Sequence, residues 1–96
     1  MNNEKMIINL SRNCFKELKD AKKYIMLAKN AKELGLSSAT SDLKNIAEQE
    51  MQHYHTNKKI LESLVTEEDK KHYFYKMQME ELKDMCEEIK NFLNEI

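Results

Sequence analysis

The sequence predicts an all-α protein that forms a single domain over residues 1–96. The chain contains no proline and only one glycine, which leaves few residues for the tight turns of a β-sheet. Lysine, glutamate, leucine, methionine and alanine are abundant, and all of them favour helix. Apolar residues also recur at helical spacing along most of the chain. These observations together predict an antiparallel helical hairpin followed by a third long helix.

The first helix is expected at about residues 4–34. Its apolar residues follow one another at spacings of three and four and so form a single stripe, which consists of Leu10, Cys14, Leu18, Ala21, Ile25, Ala28 and Ala31. Gly35 is expected to end this helix, because glycine readily adopts the left-handed backbone conformation that often follows a helix C-terminus.

The second helix is expected at about residues 38–65. The connection before it is short, which requires the two helices to be antiparallel neighbours. We expect Ser37 or Ser38 to cap this helix, because a serine hydroxyl can accept a hydrogen bond from a free backbone N–H. The predicted buried side consists of Leu43, Ile46, Ala47, Tyr54, Ile60, Leu61 and Leu64.

The third helix is expected at about residues 67–95, without interruption. Thr66 and Asp69 resemble a capping box in which aspartate replaces the usual glutamate. The apolar residues that follow alternate spacings of four and three, which is typical of a coiled-coil seam. These residues are Tyr75, Met79, Leu82, Cys86, Ile89, Leu93 and Ile96.

The charges and the apolar runs restrict the partners that we expect. The 16 basic and 17 acidic residues are interleaved, so no surface for nucleic acid or for an anionic membrane is predicted. The longest apolar run, residues 24–28, is far shorter than the roughly 20 residues of a membrane span. No signal-peptide pattern opens the chain. We therefore expect a cytoplasmic protein in which Cys14 and Cys86 are buried, reduced thiols.

Three polar residues interrupt the predicted apolar stripes. Glu50 and His53 form a Glu-x-x-His sequence on the second helix, and Glu17 lies three residues after Cys14 on the first. Buried carboxylates on facing helices repel each other unless a cation neutralises them, and carboxylates with an imidazole suit iron or manganese. The alternative is that these carboxylates pair with lysine across an interface. A Glu-x-x-His sequence alone is weak evidence, since about 0.4 occurrences are expected by chance in this composition.

The hairpin resembles the ferritin-like di-iron carboxylate proteins, over about residues 14–64. Residues 47–53, AEQEMQH, resemble the Ala-Glu-x-Glu-x-x-His signature of rubrerythrins. The separation of Glu17 and Glu50 is similar to that in a first hairpin of the rubrerythrin or bacterioferritin type, and Tyr24 and Gly35 also match rubrerythrins. The resemblance implies that Glu17 and His53 are terminal metal ligands and that Glu50 is a bridging carboxylate.

This resemblance implies a particular assembly and activity. The chain has one ligand set where full-length relatives have two, so we expect a homodimer, or a higher homo-oligomer, that forms a ferritin-like four-helix bundle with two irons per dimer site. Encapsulated ferritins are half-length relatives that share a site in this way. Manganese is the alternative metal, and Tyr24 either donates a hydrogen bond to a ligand carboxylate or fills the core.

The implied activity is oxidation of ferrous iron by oxygen or peroxide, as a ferroxidase or a peroxide-reducing protein. The sequence contains no C-x-x-C, so we expect no rubredoxin-like domain of the kind found in rubrerythrins, and electrons would then come from an external donor. A different class of function is also consistent with the sequence. In that alternative the chain is a non-catalytic helical oligomerisation or interaction module.

Overall fold

The computed structural model describes residues 3–96, and within this range it contains helices and no strand. Helix α1 spans Glu4–Glu33, α2 spans Ser37–Leu64, α3 spans Glu67–Lys70 and α4 spans Tyr73–Asn94. The prediction of an all-α chain is therefore confirmed. No helix of this part of the chain is long and apolar enough to cross a membrane.

Gly35 ends α1 in the way that the sequence predicts. Its backbone φ is 72°, in the left-handed region that glycine adopts without strain. The Leu36 N–H donates to the Ala31 carbonyl at 2.9 Å, and the Gly35 N–H donates to the Lys32 carbonyl at 3.0 Å. This pair of hydrogen bonds is a Schellman motif, which satisfies carbonyls that would otherwise be unpaired at the helix end.

The predicted serine cap of α2 is wrong. Leu36 occupies the N-cap position, Ser37 is already the first residue of the helix, and no side chain caps this end. The reason is that the Schellman motif leads directly into α2. The Leu36 carbonyl accepts the Thr40 N–H at 2.9 Å and also the Thr40 hydroxyl at 2.8 Å, which leaves no residue between the motif and the helix.

The prediction of one uninterrupted helix over residues 67–95 is also wrong. The capping box of Thr66 is present, because the Asp69 N–H donates to Thr66 Oγ1 at 3.1 Å and the Thr66 N–H donates to Asp69 Oδ2 at 3.2 Å. It opens only the single turn of α3. His72 then has an extended backbone with ψ 136° and is the N-cap residue of α4. This break turns the chain so that the apolar side of α4 meets the hairpin.

The core lies where the three long helices meet. On α1 every residue of the predicted stripe is buried. On α2 the prediction is partly wrong, since Met51 is buried and Ile60 is 40% exposed. On α4 the middle of the predicted seam is buried and its two ends are half-buried. The main apolar cluster consists of Cys14, Leu18, Ala21, Ile25, Ala47, Met51, Tyr54, Leu82, Cys86 and Ile89.

Helix α4 runs parallel to α1 in a register set by two ion pairs. Lys22 Nζ lies 2.8 Å from Glu88 Oε1, and Lys29 Nζ lies 3.3 Å from Glu95 Oε2. Both pairs have the same sequence separation of 66 residues. The Lys29 ammonium also lies 5.3 Å from the centre of the Phe92 ring. Helix α4 therefore covers one side of the hairpin and leaves the opposite side open.

Candidate metal centre

The three predicted ligands come together on the hairpin. Glu17 is contributed by α1, and Glu50 and His53 by α2, where they stand about one helical turn apart. One ligand atom from each of the three residues lies within 4.8 Å of the ligand atoms of the other two. His53 Nδ1 is 3.6 Å from Glu17 Oε2. The antiparallel pairing of α1 and α2 thus unites residues that are more than 30 positions apart in sequence.

The cluster lies at the edge of the core rather than inside it. The Glu17 side chain is 19% exposed and the His53 side chain is 61% exposed, while Glu50 is half-buried. On α1 the direction of Glu17 differs by about 140° from that of Lys22, which faces α4. The three residues were predicted to interrupt the apolar stripes, and the structure places them at the edge of these stripes, with His53 largely exposed in a single chain. The core is filled by the neighbouring apolar stripe, and the cluster occupies the open flank of the hairpin.

The acidity of Glu50 reflects the proximity of the two glutamates. A side-chain hydrogen bond with Glu17, partial burial and the negative charges of Glu17 and Asp20 raise the pKa of Glu50 from 4.5 to about 7, and His53 opposes this effect. Protonation of Glu50 therefore reduces the repulsion between the two carboxyls. A divalent cation would reduce the same repulsion and would compete with that proton.

No lysine or arginine neutralises this cluster within residues 3–96. The ion pairs that lysines form in this range are Lys22–Glu88, Lys29–Glu95, Lys58–Glu62 and Lys70–Glu67. None of them includes Glu17 or Glu50. The alternative in which lysine pairs with these carboxylates is thus not realised inside one chain, and the charge stays available for a cation.

The arrangement fits a first-row divalent metal with small side-chain movements. Two ligands of one ion are at most about 4.2 Å apart when each metal–ligand bond is about 2.1 Å. The ligand atoms of the three residues lie within 4.8 Å of one another, which is slightly more than this distance. A small change of side-chain rotamer would bring them close enough to bind one ion. Two carboxylates and one imidazole match the ligand preferences of iron and manganese. One chain supplies only three donors, however, so the coordination is incomplete without water or a second chain.

Tyr24 and Asp20 lie on a similar side of α1 to Glu17, which they follow by seven and three residues. Tyr24 packs beside the core cluster, and the Lys23 ammonium lies 5.7 Å from its ring centre. No hydrogen bond joins Tyr24 to Glu17 or Glu50 in the part of the chain described, so that role stays a prediction. Asp20, which the sequence reasoning missed, is half-buried and close enough to influence Glu50. Its signal is the spacing of three residues after Glu17, which repeats the spacing from Glu50 to His53.

Comparisons of this chain with protein-family models, with curated proteins and with solved structures give no match. The resemblance to ferritin-like proteins therefore rests on the sequence motif alone.

Proposed function

We propose that the protein is an iron-binding homodimer, or a higher homo-oligomer, with a di-iron centre at a two-fold interface, and that it oxidises ferrous iron with oxygen or peroxide. One observation carries the proposal. The ligand atoms of Glu17, Glu50 and His53 converge on the side of the hairpin that α4 leaves open. A second hairpin packed against this flank would bury the cluster and would double its donors.

The two-fold arrangement resolves the shortage of ligands. Two copies of the cluster supply four carboxylates and two imidazoles, which is the donor set of di-iron sites in four-helix bundles. Such an interface would also exclude water from His53, which is exposed in a single chain. The half-buried apolar residues Ile46 and Tyr24 lie on the same flank and would be covered at the same time.

The residues of the chain have distinct parts in this proposal. Glu17 and His53 face each other across the hairpin and would each bind one ion. The proximity of Glu17 raises the pKa of Glu50 in the metal-free protein, and Glu50 would give up its proton when a cation binds. The bound metal supplies one-electron chemistry with oxygen or peroxide. The protein contributes the negative charge that concentrates Fe²⁺ and a flank that closes on dimerisation.

An anaerobic titration with Fe²⁺ tests this proposal. Wild-type protein is expected to bind about one ferrous ion per chain, and exposure to air should then produce ferric absorbance in the near-ultraviolet. The Glu50→Ala variant should lose both signals, because it removes the carboxylate shared by the centre. Glu48→Ala is the matched control, since Glu48 lies on the same helix, is exposed and stands outside the cluster. Absence of iron binding by the wild type would refute the proposal.

An apolar surface on α4 supports the second candidate, a non-catalytic interaction module. Tyr73, Phe74 and Met77 are 70%, 63% and 47% exposed. Of these, Phe74 lines an open groove of about 930 Å³ between the start of α1 and the region from the end of α2 to α4. This candidate predicts an oligomer that Phe74→Asp dissociates and that Glu50→Ala leaves intact. The metal-centre proposal predicts the reverse when molar mass is measured by light scattering.

A further inference from the structure

Two stripes of side chains run along the side of the molecule that faces away from Glu17. On α1 the stripe lies about 140–180° around the helix from Glu17. Its residues are Ile8, Arg12, Phe15, Lys19, Lys22 and Met26. On α4 the stripe follows spacings of three and four, and it includes Glu88, which pairs with Lys22 of α1. Its residues are Phe74, Met77, Glu81, Asp84 and Glu88. The two stripes together form one surface, which we call the α1–α4 face.

The charges of the α1–α4 face are sorted by helix. The α1 stripe contains only basic and apolar residues, and the α4 stripe contains only acidic and apolar residues, although the two signs are interleaved along the chain as a whole. Lys22 and Glu88 neutralise each other at 2.8 Å. Four exposed charged residues of the face form no ion pair within residues 3–96, and these are Arg12, Lys19, Glu81 and Asp84. The face therefore has a positive and a negative edge that can each bind an opposite charge.

The apolar part of the face is large enough for a protein interface. Ile8, Met26, Phe74 and Met77 are exposed, and Ile8 and Phe74 line the groove of about 930 Å³. The α1 stripe is about 27 Å long and two adjacent helices are about 20 Å wide, so the face covers roughly 500 Å² in projection. Accessible surface exceeds its projection, so the face approaches the roughly 800 Å² per partner that stable interfaces bury.

We propose that the α1–α4 face binds a second copy of the chain through a two-fold axis parallel to the helices, so that α1 of each protomer lies on α4 of the other. This axis brings a positive edge onto a negative edge twice. A two-fold axis across the helices would place α1 on α1 and oppose like charges. The inference goes beyond the proposed function, because this face lies away from the Glu17 cluster and its contacts need no metal.

The register of the single chain determines which residues meet. Rotation about an axis parallel to the helices leaves every level along them unchanged, so the 66-residue offset between α1 and α4 also applies across the interface. Ile8 is then level with the partner's Phe74. Lys19 lies within about 1.5 Å of the level of the partner's Asp84. The dimer therefore joins the apolar ends of the two faces and pairs charges that one chain leaves without an ion pair.

Light scattering on the metal-free full-length protein tests this inference in the presence of a chelator, where the metal centre cannot contribute. Wild type should be a dimer that high salt weakens. Lys19→Glu and Asp84→Lys should each weaken self-association by at least about tenfold, because like charges then face each other twice. An equimolar mixture of the two variants should restore the dimer, because both charge contacts of the mixed pair join opposite signs.

Lys59→Glu is the matched control, because it makes the same charge change at an exposed position on α2, outside this face. It should dimerise as the wild type does, and circular dichroism should show that all variants are folded. A wild type that is monomeric at about 100 μM in chelator would overturn the inference, and so would a mixture that stays monomeric. Neither result would affect the metal centre, which the Fe²⁺ titration of Glu50→Ala tests separately.

Discussion

Glu50 keeps its proton at a pH at which an ordinary glutamate has lost it. The hydrogen bond with Glu17 is the largest cause, and burial and nearby negative charge add to it, so that the pKa rises from 4.5 to about 7. A carboxyl whose pKa is higher in the folded than in the unfolded state stabilises the fold at low pH. That contribution is complete below about pH 4.5 and is lost as the pH rises through about 7.

Replacing Glu50 by Gln should therefore stabilise the metal-free protein at pH 8. The substitution removes a negative charge beside Glu17, and after allowance for solvent screening we expect a gain of about 1 kcal/mol. At pH 4.5 the gain should vanish, because the wild-type carboxyl is then protonated. Urea unfolding in the presence of a chelator measures both values. Glu48→Gln is the control, and an equal gain from it at pH 8 would contradict this account.

The sequence predicted which residues come together better than it predicted how far each of them is buried. Glu17, Glu50 and His53 were recognised from their spacing, and they do converge. Their exposure could not be predicted, because 100° per residue does not tell a position at the edge of an apolar stripe from one at its centre. Asp20 was missed for a related reason, since its neighbour Glu50 is on another helix and the level at which two helices meet is a tertiary property.

At the scale of the helices, residues within one turn of a helix end determine where most of the helices begin or end. Gly35 and the capping box of Thr66 were predicted correctly, because each depends on residues within one turn. The end of α3 was not predicted, since residues 70–73 contain neither proline nor glycine. That break depends on the packing of α4 against the hairpin. The apolar spacing is continuous through this segment, so it does not show where tertiary packing interrupts the helix.

Gly35→Ala should destabilise the protein by about 1 kcal/mol. No atom lies within 4 Å of the position that a new Cβ would occupy, so the cost arises from the left-handed backbone alone. Gly35→Asn should cost less, because asparagine tolerates this conformation better. Ser37→Ala should have no effect, because Ser37 does not cap α2. Denaturant unfolding compares the three, and a loss of stability in Ser37→Ala would show that its hydroxyl is a cap.

The register of α1 and α4 keeps the two cysteines apart. The 66-residue offset of the ion pairs places Cys86 level with Asp20, which is six residues, or about 9 Å, beyond Cys14. The Cα atoms of a disulfide are usually less than about 7 Å apart. Burial raises the pKa of the Cys14 thiol to about 11, against a smaller opposing effect of Lys58, so the reactive thiolate is scarce at neutral pH.

We therefore expect no disulfide within the folded chain after treatment with diamide. Both thiols should react slowly with Ellman's reagent in the native protein and rapidly in guanidinium chloride, because both are buried. Mass spectrometry after alkylation counts the free thiols. Rapid formation of a Cys14–Cys86 bond in folded protein would show that the register of α4 differs from the one described.

At the scale of the whole molecule, the chain is long and thin. Its Cα atoms extend over 52 × 20 × 14 Å, so the three long helices form little more than one layer. Because no second layer packs against these helices, one flank of the hairpin stays uncovered in a single chain. The carboxylates of Glu17 and Glu50 lie on this open flank. The all-α class of one chain was thus predictable from its sequence patterns. The homodimer that the single ligand set implies stays a prediction, because the surface that covers this flank belongs to a second chain.

Metal binding and dimerisation should be coupled. Because each chain supplies one ligand set, Fe²⁺ added anaerobically should double the molar mass, or increase the fraction of dimer, and a chelator should reverse the change. Light scattering coupled to size exclusion measures this effect. The Glu50→Ala variant should stay at its metal-free mass. A wild-type protein that binds iron tightly as a monomer would rule out the shared centre.

The two ion pairs between α1 and α4 leave one ambiguity that another element has to remove. Lys22 and Lys29 are one heptad apart, as are Glu88 and Glu95, so a slip of α4 by about 10.5 Å would still bring a lysine against a glutamate. The charges alone cannot distinguish the two alignments. The short capped turn of α3 fixes the length of chain between α2 and α4, and this length selects one of the two alignments of α4 along α1. In this protein a helix of four residues thus determines the position of a helix of twenty-two.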